Sequence, residues 1–211
     1  MKYYKLIDEM NFGEIVKDDN GMCYLYCFGA EKWIRSTIMV TYNWPDDAKY
    51  GLYMVINEKK AEELKNQQRE QLNSLLELAQ EVARQAHKGQ LDKGGHPYIA
   101  HPRVVANSLE STEHKIVALL HDVCEDTTIT TNELLNLGFT KRIVNSISII
   151  TKTKNVSYDD YLAKVKQDSN AWNVKMADIK HNMELSRISN PTEKDFARID
   201  KYKKALYFLE N

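Results

Sequence analysis

The run HKIVALLHDVCEDTTIT, residues 114–130, places His121, Asp122, Glu125 and Asp126 directly behind the apolar residues Ile116, Val117, Leu119 and Leu120. On a helix, residues four apart share a face, so His121 stands near Glu125 and Asp122 near Asp126. Burying unpaired carboxylates costs on the order of several kcal/mol, and a divalent cation would offset that cost. The bland alternative is a solvated polar face on an amphipathic helix. Two further segments weigh against it. The loop AHKGQLDKGGHPYIAHP holds His87, His96 and His101 among glycines, and NVKMADIKHNMEL sets Asp178, His181 and Asn182 on one helix. Val174, Met176 and Ala177 again give the late carboxylate an apolar flank. Each histidine alone reads better as a hydrogen-bonded structural residue. Together, His101, His121, Asp122 and Asp178 make a His/His/Asp/Asp set, whose mixed nitrogen and oxygen donors suit Mn²⁺, Fe²⁺ or Zn²⁺ and leave positions open for water. Phosphoryl transfer to water needs a Lewis acid, a water of lowered pKa and a base in line with the leaving group. Glu125, one turn after a ligand, is placed to act on such a water without binding the metal itself.

These residues need helices to hold them. From Glu58 onward the pattern is helical: Leu64, Leu72, Leu75, Leu76, Ala79, Val82, Ala83 and Ala86 predict a long amphipathic helix ending at His87. Residues 88–101 read as a loop. Helices are expected at about 102–110, 113–125, 131–137, 140–151, 157–167, 170–187 and 192–209, with caps at Thr130/Glu133 and Thr192/Asp195. Before residue 57 the chain is different. GEIVKDD, MCYLYCFG, WIRSTIMVTYNW and YGLYMVIN are short β-branched and aromatic runs, with Asp19-Asn20-Gly21 a hairpin turn. The expectation is a mainly α protein, with a small β-rich module over 1–57 and an all-α domain over 58–211. The tyrosines, tryptophan and methionines of the first region suit either a buried sheet or a partner surface.

Composition narrows the function. A net charge of −1 gives no global field for nucleic acid or an anionic membrane, so a phosphate-rich ligand must be held by local cations or a metal. No apolar run approaches the ~18 residues of a membrane span, and no basic-then-apolar signal opens the chain. Cys23 and Cys27 would sit about 13 Å apart along a strand, too far for a disulfide. The compartment expected is the cytoplasm. The expected partner is a phosphorylated nucleotide, with self-association left open and neither a membrane nor general nucleic-acid binding expected.

Several strings occur together and in order: AHKGQ, Gly95-His96-Pro97-Tyr98-Ile99-Ala100-His101-Pro102, ALLHDVCEDT, ITK at 150–152, and KMADIKHNM. On these the chain resembles the HD superfamily of metal-dependent phosphohydrolases, most closely the (p)ppGpp hydrolase domain of RelA/SpoT-type enzymes and the small alarmone hydrolases. The likeness spans roughly residues 70–190 and implies a helical bundle. It implies that His101, His121, Asp122 and Asp178 bind the metal, typically Mn²⁺. It further implies that Glu125 and Asp126 position the attacking water, that Asn182 contacts the ligand, and that His87 and Lys93 border the nucleotide. The implied reaction is release of the 3′-pyrophosphate of (p)ppGpp. Two departures bear on the substrate: Asp92 and Ile179 stand where the family usually has arginines. They keep open a phosphohydrolase of another nucleotide, such as an NADPH-type phosphatase or an antidote to a toxic alarmone synthetase. A third alternative is a non-catalytic nucleotide-binding scaffold.

Overall fold

The computed structural model describes residues 1–9, 11, 13–27, 32–187 and 191–211, and these form two compact units, Met1–Ser74 and Leu75–Asn211. The first unit is built on an antiparallel sheet of β1 (Lys2–Leu6), β2 (Ile15–Asp19), β3 (Met22–Cys27), β4 (Lys32–Arg35) and, after the short helix α1 (Ile38–Asn43), β5 (Tyr53–Ile56). Strand order is β4-β3-β2-β1-β5. The β2–β3 hairpin turns on Asn20 and Gly21, both at positive φ (51° and 87°), and Asp18 Oδ1 accepts the Gly21 N–H at 2.7 Å.

Alternation decides which side chains go where. Tyr3, Ile15 and Tyr26 point to one face, where Ala61 and Leu64 of α2 (Glu58–Ala86) cover them. Leu6 and Val16 point to the other face and meet Met39 and Tyr42 of α1. Gly13 adopts φ 90°, a conformation that L side chains rarely take, where Gln68 Nε2 of α2 donates to its carbonyl. The composition shift at residue 57 marks the start of α2, whereas the contacts divide the chain inside that helix, since its first turns belong to the sheet's core.

One expectation for this unit is corrected, and one strand is added to those read from the sequence. WIRSTIMVTYNW is not one strand. Ser36 Oγ accepts the Ile38 N–H at 3.1 Å and starts α1, whose residues Met39 and Tyr42, three apart, both drop into the core. Burial on a helical spacing here overrides the β-branched composition. The opening segment, which carries no alternation beyond Tyr3 to Leu6, forms β1, an interior strand between β2 and β5.

The second unit is helical: the end of α2, then α3 (Ala100–Asn107), α4 (Thr112–Leu120), α5 (Val123–Asp126), α6 (Thr131–Asn136), α7 (Lys141–Ile150), α8 (Tyr158–Gln167), α9 (Ser169–Asn182), a 3₁₀ turn (Leu185–Arg187) and α10 (Glu193–Glu210). The chain is therefore mainly α behind a small antiparallel sheet, as its hydrophobic periods predict. Helix α9 packs against α3, α4, α7, α8 and α10, the most connected helix of the unit among the described residues. Helix α4 buries Ile116 through Leu120 without a break, the mark of a core helix rather than an amphipathic one. Both expected capping boxes are present, Thr130 with Glu133 and Thr192 with Asp195.

The helix expected over 113–125 is interrupted. Helix α4 ends at Leu120 and α5 begins at Val123, leaving His121 and Asp122 in a turn. In an unbroken helix adjacent side chains diverge by about 100°. Here Asp122 adopts φ −95° and ψ −9°, and its carboxylate comes to 3.1 Å from the His121 imidazole. Helix α9 likewise stops at Asn182, short of the expected 187. No helix among the described residues is long and apolar enough to cross a membrane.

Candidate metal centre

Helices α3 and α9 each deliver one donor, His101 and Asp178, and the turn between α4 and α5 delivers the other two, His121 and Asp122. His101 Nε2 lies 3.1 Å from Asp178 Oδ1 and 3.6 Å from Asp122 Oδ2. His121 Nε2 lies 3.1 Å from Asp122 Oδ2 and 3.7 Å from Asp178 Oδ1. Donors bound to one ion at 2.0–2.2 Å stand about 3 Å apart at right angles, so these spacings fit a shared cation. His101, His121 and Asp178 are all buried.

The orientation of His121 is fixed from behind. Its Nδ1 lies 2.7 Å from the Ala118 carbonyl, which can only accept, so Nδ1 carries the proton and Nε2 offers its lone pair to the cluster. That Nε2 is buried and has no hydrogen-bond partner among the described residues. An imidazole so locked, facing two carboxylates, is the donor arrangement a divalent cation completes. Among themselves the groups settle as ion pairs. Burial works to lower the His121 imidazole, but Asp122 and Asp178 outweigh it and hold it well above its ordinary value. Asp122 is pushed up by burial and pulled down further by His121, to about 2.

Three neighbours have roles here that the sequence alone did not assign. Burial works to raise Asp178, yet the Lys175 ammonium, 2.8 Å from Oδ2, and the two imidazoles hold it well below the usual carboxylate range. Tyr98 donates its hydroxyl to Asp122 Oδ2 at 2.5 Å. His181 stacks on His101 with Nδ1 atoms 2.7 Å apart. Lys175 has one readable signal, its place three residues before Asp178 on the same helix face. Nothing local announces the other two roles, which arise from packing.

Because Lys175 is itself largely buried, Lys175→Met should strand the Asp178 charge. We expect a loss of about 3 kcal/mol in metal-free protein, the scale for breaking a buried pair. This corresponds to on the order of 10 °C in thermal midpoint. The loss should shrink when metal is added, because the cation then compensates Asp178. Equal losses with and without metal would show that Lys175 acts only through packing.

The remaining expected site residues lie nearby in different ways. Glu125 is exposed, and its Oε2 accepts the Lys152 N–H at 3.0 Å, tying α5 to the segment after α7. Asp126 is exposed as well. Its backbone N–H bonds the Asp122 carbonyl at 2.8 Å, and burial and then the Asp122 charge push its carboxyl upward. Asn182 donates to Asp178 Oδ1 at 2.5 Å. His87 is buried, with Nδ1 2.8 Å from Gln90 Oε1 and its ring 5.0 Å from that of Tyr98. Lys93 extends to Asp195 Oδ1, 3.1 Å away. Asp92 is turned into its own loop, where Oδ1 accepts the N–H groups of Gly94 and His96, both at 2.9 Å. Its carboxylate therefore supports the loop's shape beside the backbone bonds from Asp92 N–H to the His96 carbonyl and from Gly95 N–H to the Asp92 carbonyl.

Residues 79–183 match the family described as HD domain. Over 117 residues, 48% of this chain, the sequence is 34% identical to the bifunctional (p)ppGpp synthase/hydrolase SpoT of Escherichia coli. Over 131 residues, 56% of this chain, it is 34% identical to a probable GTP pyrophosphokinase of Mycobacterium leprae. The matched stretch is 16% of the length of each relative. Among solved structures, one described as a metazoan ortholog of SpoT that hydrolyzes ppGpp superposes with a TM-score of 0.55 at 19% identity. That superposition covers 64% of this chain and 84% of the other, a likeness of fold.

Proposed function

Because residues 79–183 are an HD domain, we propose that the protein is a metal-dependent phosphohydrolase that releases the 3′-pyrophosphate of (p)ppGpp. The observation that carries this reading is the convergence of His101, His121, Asp122 and Asp178, with the His121 lone pair locked toward two carboxylates. The relatives named as acting on (p)ppGpp supply the substrate class. Mn²⁺ is the ion we assign, since two imidazoles and two carboxylates suit an intermediate cation better than thiophilic ones. The bound cation supplies Lewis acidity to a phosphoryl oxygen and lowers the pKa of water.

The chain's own residues do the rest. Glu125 and Asp126 are exposed on α5, just beyond His121 and Asp122, where they orient the attacking water and take its proton. Water adds to phosphorus, the bond from phosphorus to the 3′-oxygen breaks, and that oxygen leaves protonated with GDP or GTP. Tyr98 and Asn182 fix the carboxylates of Asp122 and Asp178, so the donors are in place before substrate arrives. His87 and Lys93 border the nucleotide.

A second reading is a related phosphohydrolase acting on another nucleotide. It is favoured by the lack of a guanidinium at positions 92 and 179. Incubating the Mn²⁺-loaded protein with ppGpp, pppGpp, NADPH and nucleoside bisphosphates separates the two. We expect pyrophosphate from ppGpp and pppGpp, and none after chelation. Phosphate release from NADPH alone would establish the second reading, and no release from any member would leave a binding scaffold.

A further inference from the structure

The two histidine donors are oriented by different kinds of partner. Behind His121 stands the Ala118 carbonyl, an obligate acceptor that leaves the ring one tautomer. Behind His101 stands another imidazole, its Nδ1 lying 2.7 Å from Nδ1 of His181. A neutral ring nitrogen either donates or accepts, so this contact is a bond only when one Nδ1 carries a proton and the other a lone pair. The backbone therefore settles the tautomer of His121, whereas that of His101 is settled by a second side chain.

Helix α9 grips His101 at both ring nitrogens. Asp178 and His181, three residues apart, share a face of that helix. Asp178 Oδ1 lies 3.1 Å from His101 Nε2, and His181 Nδ1 meets the opposite nitrogen. Both rings are buried and within 13° of parallel, with centroids 4.9 Å apart, so ring contact and hydrogen bond together hold the pair. A carboxylate in the place of His181 would also orient His101. It would, however, add a third buried negative charge beside Asp122 and Asp178, a cost that a neutral ring avoids.

We propose that His181 is the positioning residue that sets the tautomer of His101: its Nδ1 lone pair accepts the His101 Nδ1–H and so leaves the His101 Nε2 lone pair to the metal. This rests on the proposed function for the presence of a metal, and not for the identity of the substrate. His181 is then neutral, with its own proton on Nε2.

The test uses full-length protein labelled with ¹⁵N-histidine and loaded with Zn²⁺, a diamagnetic probe that suits these donors. The His101 ring should carry its proton on Nδ1 and the His181 ring on Nε2, with a coupling between the two Nδ1 nuclei across the bond. Calorimetry with Mn²⁺ gives a second readout. His181→Leu removes the acceptor and should weaken Mn²⁺ by about 10- to 100-fold, the scale for losing the partner behind a ligating histidine. His181→Asn, whose side-chain oxygen can stand near the Nδ1 position and accept, should stay within about threefold of the unaltered protein. Val105→Ala, a packing loss on the helix that carries His101, should lower the thermal midpoint and leave Mn²⁺ affinity within about twofold.

A proton on His101 Nε2 in the loaded protein overturns the proposal, and it does so even where His181→Leu fails to fold. Unchanged Mn²⁺ affinity in a folded His181→Leu protein overturns it too. So does a loss in His181→Asn as large as that in His181→Leu, which would make the effect one of ring packing. If the unaltered protein takes up no metal, the proposal and the proposed function fail together. If the tautomers and the affinity pattern are as expected but ppGpp is not hydrolysed, the substrate reading alone fails and the role of His181 stands.

Discussion

Asp178→Ala should leave the protein unable to retain a divalent ion and lower turnover by roughly 10³-fold or more, the scale seen when a member of a catalytic unit is removed. Asp178 stands at the crossing of every strong interaction in the centre. It contacts both imidazoles, takes the Lys175 ammonium on one oxygen and the Asn182 amide on the other. Its helix packs against five others, which fixes where the carboxylate stands. Metal content by elemental analysis checks the first half of the expectation. Stoichiometric metal in the variant would exclude Asp178 as a ligand.

The same centre predicts a pH signature. In metal-free protein the raised His121 stabilises the fold as an imidazolium, fully so below its unfolded value near 6.5 and progressively less as pH climbs through the raised folded value. Metal ligation needs the neutral ring, so ion binding strengthens over the same climb. The gain in thermal midpoint on adding Mn²⁺ should therefore grow from about pH 6.5 upward, and it should vanish in Asp178→Ala. Melting curves with and without chelator at successive pH values measure this. A gain independent of pH would mean that His121 is not a ligand.

What the sequence shows of this centre, and what it hides, follows from how far apart the determinants lie. The donor residues announce themselves because a carboxylate or imidazole beside Ile116–Leu120 or Val174–Ala177 contradicts a purely apolar helix face. Caps are equally legible, since Thr130/Glu133 and Thr192/Asp195 act within one turn. The turn at His121–Asp122 is not, because a helical period runs straight through it and only convergence on partners from α3 and α9 breaks the ladder. Tyr98 and His181 acquire their roles by contacts 24 and 80 residues away. Asp92 shows the opposite error. As an isolated change from arginine to aspartate it speaks to the substrate, yet its oxygen is spent on two backbone N–H groups of its own loop. Helix α1 is hidden for a related reason, since Met39 and Tyr42 reveal a helical spacing only once a sheet face exists to receive them.

Glu125→Gln should reduce turnover by roughly 10²-fold or more, with metal content and thermal stability retained. Glu125 touches none of the four donors. Its carboxylate accepts the Lys152 N–H, which a glutamine oxygen can accept equally well, so the loop after α7 should stay tied to α5. What the substitution removes is the negative charge and the basic oxygen, in a side chain that is exposed and one turn past His121. A group that only held the loop would therefore tolerate the change, whereas one that orients water and accepts its proton would not. The kinetic pattern separates these roles: kcat should fall while KM for ppGpp stays within a few-fold, because substrate is held by other residues. Asp126→Asn provides the comparison, since Asp126 is pushed upward by burial and by Asp122 and is the other exposed carboxylate on α5. Undiminished kcat in Glu125→Gln, together with a collapse in Asp126→Asn, would transfer the base to Asp126. Undiminished kcat in both would leave the attacking water to the metal centre alone and reduce Glu125 to a tether for Lys152.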